Sequence, residues 1–124
     1  MWLTAYSVKM DREAIAQGCL EQARWAARLG SPMYEALLLR MADDVRTGGP
    51  CLAAVKPHLG RSRMLAPLLL LAAIHRMVLE GRLPAAARFY PSMGGHVDVD
   101  ALWPHFLQAV PGAVLPVFSN CKKC

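Results

Sequence analysis

Apolar residues recur along most of this chain at steps of three and four, the spacing that lays them on one side of an α-helix. The clearest run is Tyr34, Leu37, Leu38, Met41, Ala42 and Val45. It is introduced by Ser31-Pro32, a capping hydroxyl and then a proline whose missing N–H costs nothing in a first turn, and it stops at Gly48-Gly49-Pro50. Upstream, Ile15, Cys19, Ala23 and Ala26 share one face while Gln17, Glu21, Arg24 and Arg28 share another. That pattern predicts a surface helix that starts near Asp11, as its cap, and ends at Gly30. The joint to the next helix is so short that the two must turn sharply.

Downstream, a short helix is expected over Cys51 to Val55, and a long one from about Pro67 to Glu80, stopped by Gly81. The long one is apolar nearly all round, which places it at the centre of a core. Pro84 opens another short helix to about Phe89, and Tyr90-Pro91-Ser92-Met93-Gly94-Gly95 has the composition of a structured turn. A last helix, capped by Asp98 or Asp100 and carrying Pro104 in its first turn, puts Leu102, Trp103, Phe106, Leu107 and Val110 on one face. The fold class is therefore all-α, a small multi-helix domain with short helices and structured turns. Residues 1–10 read as an N-terminal arm, 11–112 as the helical domain and 113–124 as a loose C-terminal tail, within which Val114 to Phe118 forms a short strand or an extended segment.

With 124 residues, 55% of them apolar and 19% charged, the chain has the length of one domain and too many apolar residues to be disordered. The apolar excess leaves surface for another domain, a partner or a second copy to cover. The net charge of +5 is spread along the chain. Its densest cluster, Lys56, His58, Arg61 and Arg63, has no aromatic residue to stack on bases, so a solvated loop ranks ahead of a nucleic-acid site. Thr4, Tyr6, Ser7 and Lys9 break what would be the apolar stretch of a secretory signal, and a cytoplasmic location is expected. The run Met64 to Ile74 falls short of the ~20 apolar residues a membrane span needs, so no membrane is implied.

Cys121 and Cys124 have a spacing that can share a zinc ion or a disulfide. Cys19 and Cys51 lie far off in helices, and His75, His96 and His105 add no second ligand-type spacing. A solvated tail is the plainer account. His75 sits in the apolar helix one turn from Leu71 and Leu79, where a half-buried imidazole bonded to a backbone carbonyl is expected; Arg76 can pair with Glu80. Any catalytic role would fall to His75 or Arg76, and any metal to Cys121 and Cys124. Asp43 and Asp44 point about 100° apart on a helix and read as surface charge. Gly94-Gly95 lacks the phosphate-loop spacing and reads as a turn.

Taken together, Gln22-Ala23, Gly30-Ser31-Pro32-Met33-Tyr34, Gly48-Gly49-Pro50, His75-Arg76-Met77-Val78-Leu79-Glu80-Gly81, Tyr90-Pro91-Ser92-Met93-Gly94-Gly95 and Trp103 resemble the amino-terminal part of a bacterial family, domain of unknown function 2332. The likeness covers about residues 11 to 110. It implies a longer protein whose carboxyl-terminal part carries a Gly-Ala-Ser-Ala-Gly-Leu-Asn type of segment, similar to the nucleotide-binding turn of S-adenosylmethionine-dependent methyltransferases. This sequence ends in Asn120-Cys121-Lys122-Lys123-Cys124 without such a segment, so no cofactor is expected on it.

Three functions are compatible with these observations. The first is a helical module of a longer protein, a truncated product without catalysis of its own, which covers a second domain and lends His75, Arg76 or the Tyr90-to-Gly95 turn to a shared cleft. The second is a stand-alone interaction module that self-associates or binds a partner through an apolar face. The third is a small enzyme or metal protein using the histidines and cysteines.

Overall fold

The computed structural model describes residues 2–58 and 65–115, with residues 2–11 described by their backbone alone. Among the described residues there are six α-helices and no strand: α1 (Trp2–Arg28), α2 (Pro32–Arg46), α3 (Pro50–Val55), α4 (Leu65–Leu79), α5 (Pro84–Ala87) and α6 (Val99–Ala109). Short 3-10 turns occupy Lys56–His58, Pro91–Met93 and Val110–Gly112. The chain is all-α, as its periodicity requires.

α1 begins at Trp2 rather than at Asp11. No proline or glycine interrupts residues 2–17, so a helix nucleated on its packed turns propagates backward at little cost, and Asp11 becomes an interior residue. At the other end Gly30 takes φ +82°, and the Ser31 N–H donates to the Ala26 carbonyl while the Gly30 N–H donates to that of Ala27. This paired closure needs a left-handed residue, which costs glycine nothing. α2 then starts at once, its Ser31 cap accepting from the Tyr34 N–H at 3.4 Å.

The two helices pack on each other more extensively than any other pair, α1 through Ile15, Cys19 and Ala23 and α2 through Leu37, Leu38 and Met41. α4 is the centre of the fold. It touches α1, α2, α3, α5 and the 91–93 turn, and Leu70, Leu71, Ile74 and Val78 along it are all buried. Among the described residues no Asp, Glu, Lys, Arg, His, Asn, Gln, Ser or Thr side chain is fully buried.

Asp44 does more than the surface charge expected of it. The α3 cap position is Gly49, which has no side chain to offer, and the Asp44 carboxylate fills that role from α2 by accepting the Cys51 N–H at 2.8 Å. In α6 the cap is Asp98, which accepts from the Ala101 N–H at 3.1 Å. Pro104 therefore falls in the second turn instead of the first, on the exposed side where water can satisfy the carbonyl the proline leaves unpaired. Arg40 ties α6 to α2 by pairing with Asp100 while lying 6.0 Å over the Trp103 ring. Val114 is exposed and Leu115 buried, both in irregular chain. The rest of the expected strand or tail, with Cys121 and Cys124, lies outside the described residues, as do Arg61 and Arg63 of the basic cluster.

Candidate functional site

The apolar helix α4 brings one imidazole to its edge. His75 is half-buried, and it bonds to two side-chain hydroxyls rather than to the backbone carbonyl expected from sequence. Its Nδ1 lies 3.2 Å from the Tyr34 phenol oxygen, and its Nε2 lies 2.8 Å from Ser92 Oγ. With one partner on each nitrogen, ring rotation would break both bonds, so the imidazole is oriented from two sides.

Each partner is placed by local chain chemistry. Tyr34 stands in the first turn of α2, directly above the Ser31 cap that holds its backbone. Ser92 stands on the Pro91–Met93 turn, closed by Gly94 at φ +78°. The turn is pressed against the α5 region, because a Cβ on Gly95 would lie 2.1 Å from the Arg88 carbonyl oxygen, the same oxygen that accepts the His96 N–H at 3.0 Å. Only glycine allows that approach.

Tyr90 lies against His75, with ring centroids 5.0 Å apart and planes tilted by 35°. It is 2% exposed, and its buried phenol oxygen has no hydrogen-bond partner. Burial pushes the Tyr90 phenol well above the ordinary range, with the neighbouring Tyr34 adding to it, and burial also raises that of Tyr34. Both phenols are therefore protonated donors at neutral pH.

These side chains form the floor of an open groove of about 580 Å³, walled by the 30–34 segment on one side and by Tyr90, Pro91, Ser92 and Val97 on the other. No charged residue lines it. Its walls come from three of the segments that carry the family likeness, which sequence order alone keeps apart.

Arg76, the other sequence candidate, is not part of this groove. Its exposed side chain pairs with Glu80 at 3.2 Å, and Glu80 also meets Arg82 at 3.5 Å, beside a separate surface hollow that Val114 and Leu115 border. His105 is elsewhere too, stacked on Phe89. Cys19 and Cys51 are buried in the core. Burial pushes the Cys19 thiol up to about 12, and burial together with Asp44 raises that of Cys51, so neither is set up as a thiolate. Among the described residues no three His, Cys, Asp or Glu side chains gather as a metal site would require, and no helix is long and apolar enough to cross a membrane.

Reasoning from sequence singled out His75 but missed Tyr34 and Ser92 as its partners. Their separations of 41 and 17 residues give no local sign of contact. The available signal was that all three fall within the family segments.

No curated protein and no solved structure matches the chain. Residues 16–113 match a family described as uncharacterised proteins conserved in bacteria. The chain belongs to this family, domain of unknown function 2332.

Proposed function

We propose that the chain is a helical module of a longer cytoplasmic protein, without catalysis of its own, whose Tyr34–His75–Ser92 groove forms one wall of a ligand cleft completed by a following domain. The observation that carries this reading is an imidazole oriented by two hydroxyls at the floor of an uncharged, open groove. Ligand sites combine a mostly apolar lining with a few positioned polar groups, and this open groove has that composition. His75 is the residue through which the module would act on a bound molecule. Neither S-adenosylmethionine nor nucleic acid is a ligand of this module alone in this reading.

Hydrogen exchange on a longer family protein carrying the same groove residues tests it. Protection of the segments matching 30–34 and 90–97, lost when the following domain is removed, is the expected result. Equal exchange in the two forms would refute the shared cleft.

A second reading has its own observation. Leu29, Met93 and Val97 are 80%, 44% and 47% exposed, and they sit on or next to groove residues in the chain. Such an apolar rim fits an interaction module that self-associates. Sedimentation over a dilution series separates the two, since self-association through the rim is concentration-dependent and weakened by Val97→Lys.

A further inference from the structure

Ser92 is exposed, yet its backbone is pinned. The Met93 and Gly95 N–H groups both donate to the Tyr90 carbonyl, at 2.9 and 3.0 Å, and the Gly94 N–H donates to the Pro91 carbonyl at 2.9 Å. Tyr90, 2% exposed, anchors this turn in the core. The Ser92 hydroxyl is thus presented at the groove within reach of an imidazole whose other nitrogen is held by Tyr34. A surface bond of this kind adds little to stability, because water competes for both partners. Its chemical consequence is larger. A serine hydroxyl is a weak nucleophile until an adjacent base can take its hydrogen, and that base works when a third group orients it.

The two distances assign the hydrogens. Hydroxyl donors make shorter hydrogen bonds than N–H donors do. The Ser92 contact is 2.8 Å and the Tyr34 contact 3.2 Å, which matches a hydroxyl donating to Nε2 and the ring donating its Nδ1 hydrogen to the Tyr34 oxygen. A general base requires that tautomer, with its free lone pair on the nucleophile. The walls then select the substrate. Pro32, Met33, Tyr90 and Val97 offer apolar surface, and no charged side chain is there to meet a carboxylate, a phosphate or an ammonium group.

We propose that Ser92 is a nucleophile activated by His75, and that it accepts the acyl group of an uncharged ester of apolar body lying in the groove. Ser92 Oγ bonds to the acyl carbon while its hydrogen passes to His75 Nε2. The bond to the alcohol oxygen breaks as that oxygen takes the hydrogen from Nε2. Water, deprotonated by the same nitrogen, then splits the Ser92 ester, releasing the carboxylic acid and restoring the hydroxyl. Tyr34 is a positioning residue: an uncharged phenol orients the imidazole without stabilising the imidazolium as a carboxylate would. The inference rests on the groove being one wall of a cleft. On this chain alone it predicts acylation by activated reagents rather than turnover of esters.

The test is labelling of the full chain with an uncharged phenyl fluorophosphonate, which transfers its phosphoryl group to an activated serine and releases fluoride, followed by intact mass and peptide mapping. One label should appear on Ser92, and it should form faster than on any other serine and faster than with a carboxylate-bearing analogue of the reagent. His75→Ala should slow it at least about tenfold, the low side of what a positioned base supplies because no carboxylate backs the ring. Helical circular dichroism should be unchanged, and added imidazole should restore part of the rate. In the unlabelled wild type, imidazole nitrogen shifts should show His75 protonated at Nδ1, a preference that Tyr34→Phe removes. Labelling of Ser92 no faster than of the other serines, or His75 protonated at Nε2, would overturn the proposal. Those results would leave the shared cleft standing wherever a following domain still protects the 30–34 and 90–97 segments.

Discussion

Ser92 Oγ sits 2.8 Å from His75 Nε2, which fastens the 91–93 turn to the central helix α4 through a single side-chain hydrogen bond. Ser92 is exposed, so water can replace the lost partner and the bond contributes modestly to stability. Ser92→Ala should lower the unfolding free energy by about 0.5–1 kcal/mol, with the loss of the second bond in Tyr34→Phe of similar size. The two effects should be non-additive in a double-mutant cycle because both act through one ring. Strict additivity by urea denaturation would show that the ring does not couple them.

Asp44 supports α3 from a neighbouring helix, so its removal should behave as the loss of a cap. Asp44→Ala is expected to destabilise by about 1 kcal/mol. Gly49→Ala should do the same by another route, since a Cβ there would lie 2.1 Å from Asp44 Oδ1 and drive the carboxylate off the Cys51 N–H. In the Asp44→Ala background Gly49→Ala should then be nearly harmless. If Gly49→Ala costs as much there as in the wild type, the carboxylate is not the obstacle.

Two glycines should separate conformational strain from collision. Gly30 has φ +82° with open space where its Cβ would point, so Gly30→Ala should cost only the left-handed penalty of about 1 kcal/mol. Gly95→Ala meets the Arg88 backbone oxygen and should cost about 2–3 kcal/mol, with loss of the turn that carries Ser92. Thermal unfolding of the two variants gives the order directly. A Gly30 variant less stable than the Gly95 variant would contradict it.

The chain should lose stability at alkaline pH. Burial holds Cys19 protonated up to about 12, against 9.0 for a free thiol, and it raises Cys51 and Tyr90 in the same direction. The folded state thus binds these protons more tightly than the unfolded state does. The stability they contribute is complete below pH 9.0 and is lost as the pH rises from there toward 12. Denaturation midpoints should fall across that interval, and Cys19→Ala should flatten the slope. A midpoint constant from pH 8.5 to 11 would show that the thiols and the phenol are not held in the core as described.

Much of this architecture is legible in the residues themselves. α2 carries its own cap, its own periodicity and its own stop, and α4 is apolar nearly all round, so both the element and its central position follow from pattern. Where local signals compete, the pattern is a poorer guide. Asp11 is a good cap residue, yet nothing upstream obliges the helix to start there; Asp98 and Asp100 are equivalent in sequence, and only the packed position of Leu102 and Phe106 selects the first. The site is the least legible part. Tyr34, His75 and Ser92 come from three elements, and the short joint at Gly30 and the closed turn at Gly94-Gly95 that bring them together act through tertiary packing, which spacing along the chain does not encode.

The account rests most heavily on His75 being held by Tyr34 on one nitrogen and Ser92 on the other. Long-range proton–nitrogen correlation of the imidazole rings, recorded on the chain at a pH well above the ordinary histidine range of about 6.5, observes that arrangement directly. His75 should show one dominant neutral tautomer, with nitrogen shifts that move on Tyr34→Phe at Nδ1 and on Ser92→Ala at Nε2, while the exposed His96 shows averaged tautomers in every variant. Averaged nitrogen shifts for His75, indistinguishable from those of His96 and unmoved by either substitution, would contradict it.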